Sequence, residues 1–270
     1  MSLRERIGVD LGQRVRIEDG LAAAVAHQIR YVDVKIDAAP NAIDSLTPER
    51  IRAIRAVCER GGIHLGVHTA SAVNVAELAP HVSEGVDRYL VGHLEACQRL
   101  GGEWMVVHAG YHFSSDVALR MQAGLERLKR LGDRAERLGV DLLLENLNRE
   151  PDDAEVHYLA HNVEETRWYF DRLASPRLRW AFTANHAHLV PEGVEGFLAA
   201  LDIKRCDEVR LADCWRNGKE EHLKPGAGDF DFPGLFRRLD ALGFAGHYMN
   251  AFGSLDDMIE GRERLARAAG

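Results

Sequence analysis

Three apolar runs each end in a side chain able to bind a metal ion or move a proton. His68 closes IHLGVH, His108 closes WMVVH and Glu145 closes VDLLLE. Two imidazole nitrogens and one carboxylate suit zinc or manganese, with one coordination position left open. His186 and His188 follow the run RLRWAF, and His222 stands beside Glu220 and Glu221. His186 and His222 offer a second group of ligand type. One such histidine alone reads as a packed residue bonded to a neighbour. Ligand-type residues at the ends of successive strands read as a site, because that is where an eight-stranded α/β barrel gathers its chemistry.

The elements needed to hold these residues follow from the hydrophobic pattern. Strands are expected at Ile7–Asp10, Tyr31–Ile36, Ile63–His68, Trp104–His108, Val140–Glu145, Leu178–Thr183, Glu208–Ala212 and Ala245–Asn250. Between them lie runs of helical period, such as Val86, Leu90, His93, Leu94 and Cys97, or Val117, Met121, Leu125, Leu128, Ala135 and Leu138. Thr47 before Pro48 reads as a helix N-cap, and Gly61–Gly62 closes that helix. Asn162 with Glu165 and Ser254 with Asp257 read as further starts, while Gly101–Gly102, Gly139 and Gly243 end helices just ahead of strands. Eight such units without a Pro- or Ser-rich linker predict α/β architecture, a single (β/α)8 barrel domain over residues 1–270. The longest irregular connection runs from Asn146 to about His161, directly after Glu145, where barrels carry lids and binding loops.

Composition narrows the function. The chain has 46% apolar and 28% charged residues, ordinary for a globular protein with an ample core. A net charge of −8 argues against nucleic acid, since phosphate binding needs a basic footprint. No run approaches the length of a membrane span, and no secretory signal precedes the first strand. Cys58, Cys97, Cys206 and Cys214 lack CxxC spacing; Cys58 and Cys97 fall on helix faces as packed thiols. A cytoplasmic protein is expected.

Taken together, VHTASAVNV, VVHAGYH, LLLENLNRE, FTANHAHL and HLKPGAGDFDF resemble, in order, the xylose-isomerase-like TIM-barrel superfamily. That superfamily includes sugar isomerases and epimerases, dehydratases and an apurinic-site endonuclease branch. The resemblance implies a sugar or polyol substrate and a homodimer as the expected assembly. It also implies a central metal held by Glu, Asp, His and Glu from the fifth to eighth strands. Glu145 matches the first position; Thr183, Arg210 and Asn250 stand at the other three. In the endonuclease branch, flanking metals use positions matching His68, His108 and Glu145 on one side and His186 and His222 on the other. The departures thus fall on the central ion alone. A guanidinium cannot deprotonate in a protein, so Arg210 puts a fixed cation where the superfamily keeps a dication. The central metal is expected to be absent, with Arg210 and Asn250 bonding substrate or Glu145.

On this reading Glu145 and His186 carry proton transfer, and any divalent ion, zinc or manganese, lies at His68, His108, Glu145 and His222. His188, Asn148, Arg149, Arg216 and Trp215, in loops on the same face, are the expected substrate contacts. The expected activity is isomerisation, epimerisation or dehydration of a small hydroxy-ketone. The alternatives are metal-dependent phosphoester hydrolysis of the endonuclease type and a non-catalytic barrel that has lost its metal. Gly226 and Gly228 read as a tight turn, since no P-loop lysine and helix follow them.

Overall fold

The computed structural model describes residues 1–113, 116–216 and 218–268. Among these, eight parallel strands close into a barrel in sequential order, the first pairing with both the second and the eighth. They are Ile7–Asp10, Tyr31–Val34, His64–His68, Trp104–Val107, Asp141–Glu145, Leu178–Thr183, Cys206–Leu211 and His247–Asn250. Ile7–Asp10 and Leu178–Thr183 match the expected runs, and the other six are trimmed or extended by one or two residues at their ends. That is ordinary where pairing gives way to a loop.

The surrounding helices form where their apolar faces meet the strands. The helix Val117–Leu138 buries Leu125, Leu128, Leu131 and Ala135, which share one stripe. Thr47 caps the helix Pro48–Gly61 by accepting from the Arg50 amide, and Gly62 ends it at φ 60°. That left-handed conformation costs a glycine little. Asn162 caps Val163–Arg172 through the Glu165 amide, as its sequence signature indicates. The last helix, Leu255–Ala268, is tied back to the start of the barrel by Arg262, which is fully buried. Its guanidinium donates to the carbonyls of Ile7 (3.0 Å), His27 (3.2 Å) and Gln28 (2.9 Å).

The connection after Glu145 is less irregular than its sequence implied. His157–Tyr158 pairs antiparallel with Tyr111–His112, pinning that loop to the one after the fourth strand. His186 and His188 likewise lie on a short helix, Ala184–His188. Gly226 takes φ 87° and donates to Asp213 Oδ2 at 2.6 Å, the tight turn expected of it.

Alternate residues of each strand face the barrel axis. Near the floor these are Trp104, Val106, Leu143, Ala181 and Met249, with Tyr31 packed against them. Above them the axis is charged: Asp10, Asp33, Glu208 and Arg210 are all buried. Gly66 leaves room for this layer. A Cβ there would lie 2.0 Å from Trp104 Nε1, whose proton goes to Asp33 Oδ1 at 2.9 Å.

Candidate functional site

His68, His108 and Glu145 meet at the C-terminal end of the barrel. The third and fifth strands end on His68 and Glu145, and His108 follows the last residue of the fourth. All three are buried, at 7%, 1% and 3% exposure. His68 Nε2 lies 3.3 Å from His108 Nε2 and 3.3 Å from Glu145 Oε2; His108 Nε2 lies 3.2 Å from that same oxygen. Ligand atoms bound tetrahedrally at about 2.1 Å stand roughly 3.4 Å apart, so these three fit one face of a zinc-type polyhedron. His108 is held neutral, as a ligand must be: burial pushes its pKa down to about 4, against the pull of Glu145. Burial alone would raise the pKa of Glu145. The close imidazoles of His108 and His68 and the charge of Arg210 outweigh it and hold Glu145 well below the usual carboxylate range.

The other carboxylate oxygen of Glu145 faces the centre of the barrel mouth. Thr183 Oγ1 donates to it at 2.5 Å, and His186 Nδ1 stands 3.8 Å away. His186 Nδ1 itself donates to the Asn146 carbonyl at 2.9 Å, which frees Nε2 toward Glu220, 3.7 Å off. Glu220 Oε1 in turn takes His222 Nε2 at 2.6 Å, while His222 Nδ1 donates to the Ala251 carbonyl at 2.5 Å. His186, Glu220 and His222 thus form a second group with metal-ligand spacing, beside the first. Bonds from His186 and His222 hold the Glu220 pKa far below normal. Burial opposes protonation of His222, yet Glu220 raises its pKa overall.

Three expectations need correction. His222 does not join His68, His108 and Glu145 but groups with His186 and Glu220. Arg210 does not reach into an open cavity: it is 2% exposed, and its guanidinium bonds Asp33 Oδ2 (2.7 Å), Glu208 Oε1 (2.5 Å) and Asp10 Oδ2. Its nearest approach to Glu145 is 3.9 Å. Three buried carboxylates outbid a single one at greater distance. Asn250 points the other way altogether. Tyr248 packs outward against Phe236 and Phe244 and Met249 inward, so alternation turns Asn250 outward, where Nδ2 donates to the Met258 carbonyl at 2.9 Å. The next inward position, just past the end of that strand, is Ala251, which has no ligating side chain.

The other expected substrate contacts lie at the rim. Arg149, His188 and Arg216 line a depression of about 320 Å³ that none of the metal-type residues lines. Arg149 pairs with Asp152 at 2.7 Å and His188 with Asp229 at 2.9 Å. Asn148 is buried and donates to Glu150 at 2.7 Å, whereas Trp215 is 51% exposed.

Asp10, Asp33 and Glu208 also belong to the site, behind its ligand residues. Asp10 carries the same signal as the others, an apolar run (IGVD) that ends in an acid. Asp33 and Glu208 sit inside their strands, where only the inward alternation marks them.

No curated protein matches the chain. Among solved structures, a D-tagatose 3-epimerase-like protein superposes with a TM-score of 0.82 at 21% identity, over 97% of this chain and 96% of that one. D-psicose 3-epimerase from Clostridium cellulolyticum H10 gives 0.74 at 16% identity, over 98% and 95%. An L-ribulose 3-epimerase gives 0.76 at 16%, over 100% and 92%. At such identities the likeness concerns the fold. A family model described as the xylose isomerase-like TIM barrel matches residues 21–267, most of the sequence. The chain belongs to that family.

Proposed function

We propose that this protein is an isomerase- or epimerase-type enzyme acting on a small sugar or polyol. Its ion is held by His68, His108 and Glu145 in place of the family's central position. The observation that carries this reading is the triangle of ligand atoms, with sides of 3.2 to 3.3 Å. An ion there would polarise a carbonyl or hydroxyl oxygen of the substrate.

The chain's own residues supply the rest. Glu145 gives one oxygen to the imidazoles and the other to Thr183, which leaves it poorly placed to take a proton from carbon. Glu220 is better placed to take that proton, and His222 to give one back. They sit at the open side of the mouth, and both His222 nitrogens face acceptors, so the ring is held in its protonated, proton-donating form. His186 stands between the two groups, 3.8 Å from Glu145 and 3.7 Å from Glu220. Arg149, His188, Arg216 and Trp215 at the rim would meet the substrate's outer hydroxyls. At the central position Thr183 and Ala251 offer no strong ligand, and Arg210, bound to Asp10, Asp33 and Glu208, comes no nearer to Glu145 than 3.9 Å.

The test is elemental analysis of purified protein together with proton exchange into ketose substrates in deuterated water. Wild type should hold one ion per chain and exchange the hydrogen next to the carbonyl. His68→Ala and His108→Ala should lose the ion, and Glu220→Gln should keep the ion but lose exchange. Ion content indifferent to His68 and His108 would refute the assignment.

The flanking arrangement of the two ligand groups also favours a second reading, metal-dependent phosphoester hydrolysis. Release of nitrophenol from nitrophenyl phosphates, in the absence of ketose exchange, would select it. The net charge of −8 speaks against a DNA substrate.

A further inference from the structure

We infer that Asp10 is a positioning residue for His68, and that Arg210 holds Asp10 to that task. The inference rests on the metal reading of the His68, His108 and Glu145 group and extends it to how the ligands are prepared. His68 Nδ1 lies 2.9 Å from Asp10 Oδ2. Arg210 Nη2 donates to that same oxygen, so Asp10 faces a permanent cation and remains a carboxylate, an acceptor with no proton to give. Arg210 Nη2 also stands 3.1 Å from His68 Nδ1, but its proton is committed to Asp10, and the carboxylate is the nearer neighbour of the ring, so the ring proton of His68 is drawn to Nδ1. The lone pair is left on Nε2, aimed at His108 and Glu145. A carboxylate behind a ligating imidazole fixes its tautomer and raises its basicity.

Arg210 cannot easily swing away from this duty. Its Nη1 is shared between Asp33 Oδ2 and Glu208 Oε1, at 2.7 and 2.5 Å. Each of those acids is anchored in turn: Asp33 Oδ1 by Trp104 Nε1 at 2.9 Å, and Glu208 Oε2 by His247 Nε2 at 3.0 Å. The orientation of His68 is therefore set by a bonded column running down the barrel axis to the floor. His108 is backed far more weakly. Its Nδ1 lies 3.5 Å from Thr69 Oγ1, a neutral hydroxyl already donating to the Val106 carbonyl at 2.9 Å. The two histidines are thus unequal, and His68 is the one prepared by charge.

The experiment titrates zinc, and separately manganese, into chelator-stripped full-length protein, and reads the tautomers by ¹⁵N NMR of labelled histidine. Asp10→Asn should weaken zinc binding about 10- to 100-fold. It should also turn His68 to the Nε2–H tautomer, because a carboxamide can donate to Nδ1. Thr69→Ala should change affinity only a few-fold, and Asp10→Glu should recover part of the loss. Unchanged affinity in Asp10→Asn overturns the inference, as does an Nε2–H tautomer of His68 in metal-free wild type. The second result needs no variant, so it holds even where Asp10→Asn does not fold. Wild type that binds neither ion would sink the metal reading, while the tautomer measurement would still decide the role of Asp10.

Discussion

Replacing Arg210 by alanine takes a guanidinium away from Asp10, Asp33 and Glu208, which are 7%, 0% and 0% exposed. The variant must either bury these charges unpaired or protonate them. Breaking a buried ion pair from one side costs about 3–5 kcal/mol. Asp33 gives some relief, since burial and the neighbouring Glu208 already push its pKa up to about 7. An unfolding entropy near 2.1 cal/mol/K per residue, over 270 residues, converts that cost into a melting-temperature drop of roughly 5–9 °C. The pH dependence has a definite sign. Without the cation the acids titrate higher in the folded than in the unfolded chain. The deficit therefore shrinks as pH falls, and grows as pH rises through those raised values. Thermal melts of wild type, Arg210→Ala and Arg210→Lys at neutral and mildly acidic pH would show this. Millimolar guanidinium chloride should restore part of the alanine variant's loss by refilling the vacated space. Lysine should fall between the two, having charge without the fork. If the alanine variant melts within about 2 °C of wild type at every pH, the column is not the electrostatic structure described above.

Three further outcomes follow from features away from the mouth. Gly66→Ala should lower stability by about 1–3 kcal/mol or more and alter the near-UV signal of Trp104, because the new Cβ would stand 2.0 Å from its indole nitrogen. Arg262→Ala should destabilise by about 3 kcal/mol, leaving the carbonyls of Ile7, His27 and Gln28 without their donor, yet bind zinc as wild type does. In the native protein no cysteine should react quickly with Ellman's reagent. All four are buried, and burial lifts Cys58 to about 11 and Cys214 to about 12, so the thiolate is scarce at neutral pH.

The barrel was legible because a strand buried on both faces leaves a short apolar run, and because caps such as Thr47 and Asn162 punctuate the helices between. The meeting of His68, His108 and Glu145 was legible for the same reason, since strand tips converge. What escaped was anything decided by the direction of a side chain. Asn250 sits at a strand tip like the others, but one step out of phase, and only the inward position of Met249 reveals it. Arg210 was recognised as a misplaced cation, but its partners come from the first and second strands, far away in sequence. The pairing of Tyr111–His112 with His157–Tyr158 was hidden too, as two-residue strands leave almost no pattern.

The charged axis has one more consequence. A bound ion can be lost to a chelator or to starvation, and a framework organised around it would loosen with the loss. The countercharge at Arg210 is made on the ribosome along with the acids it neutralises. The inner scaffold is therefore whole from the moment of folding, whatever the supply of transition metal in its surroundings.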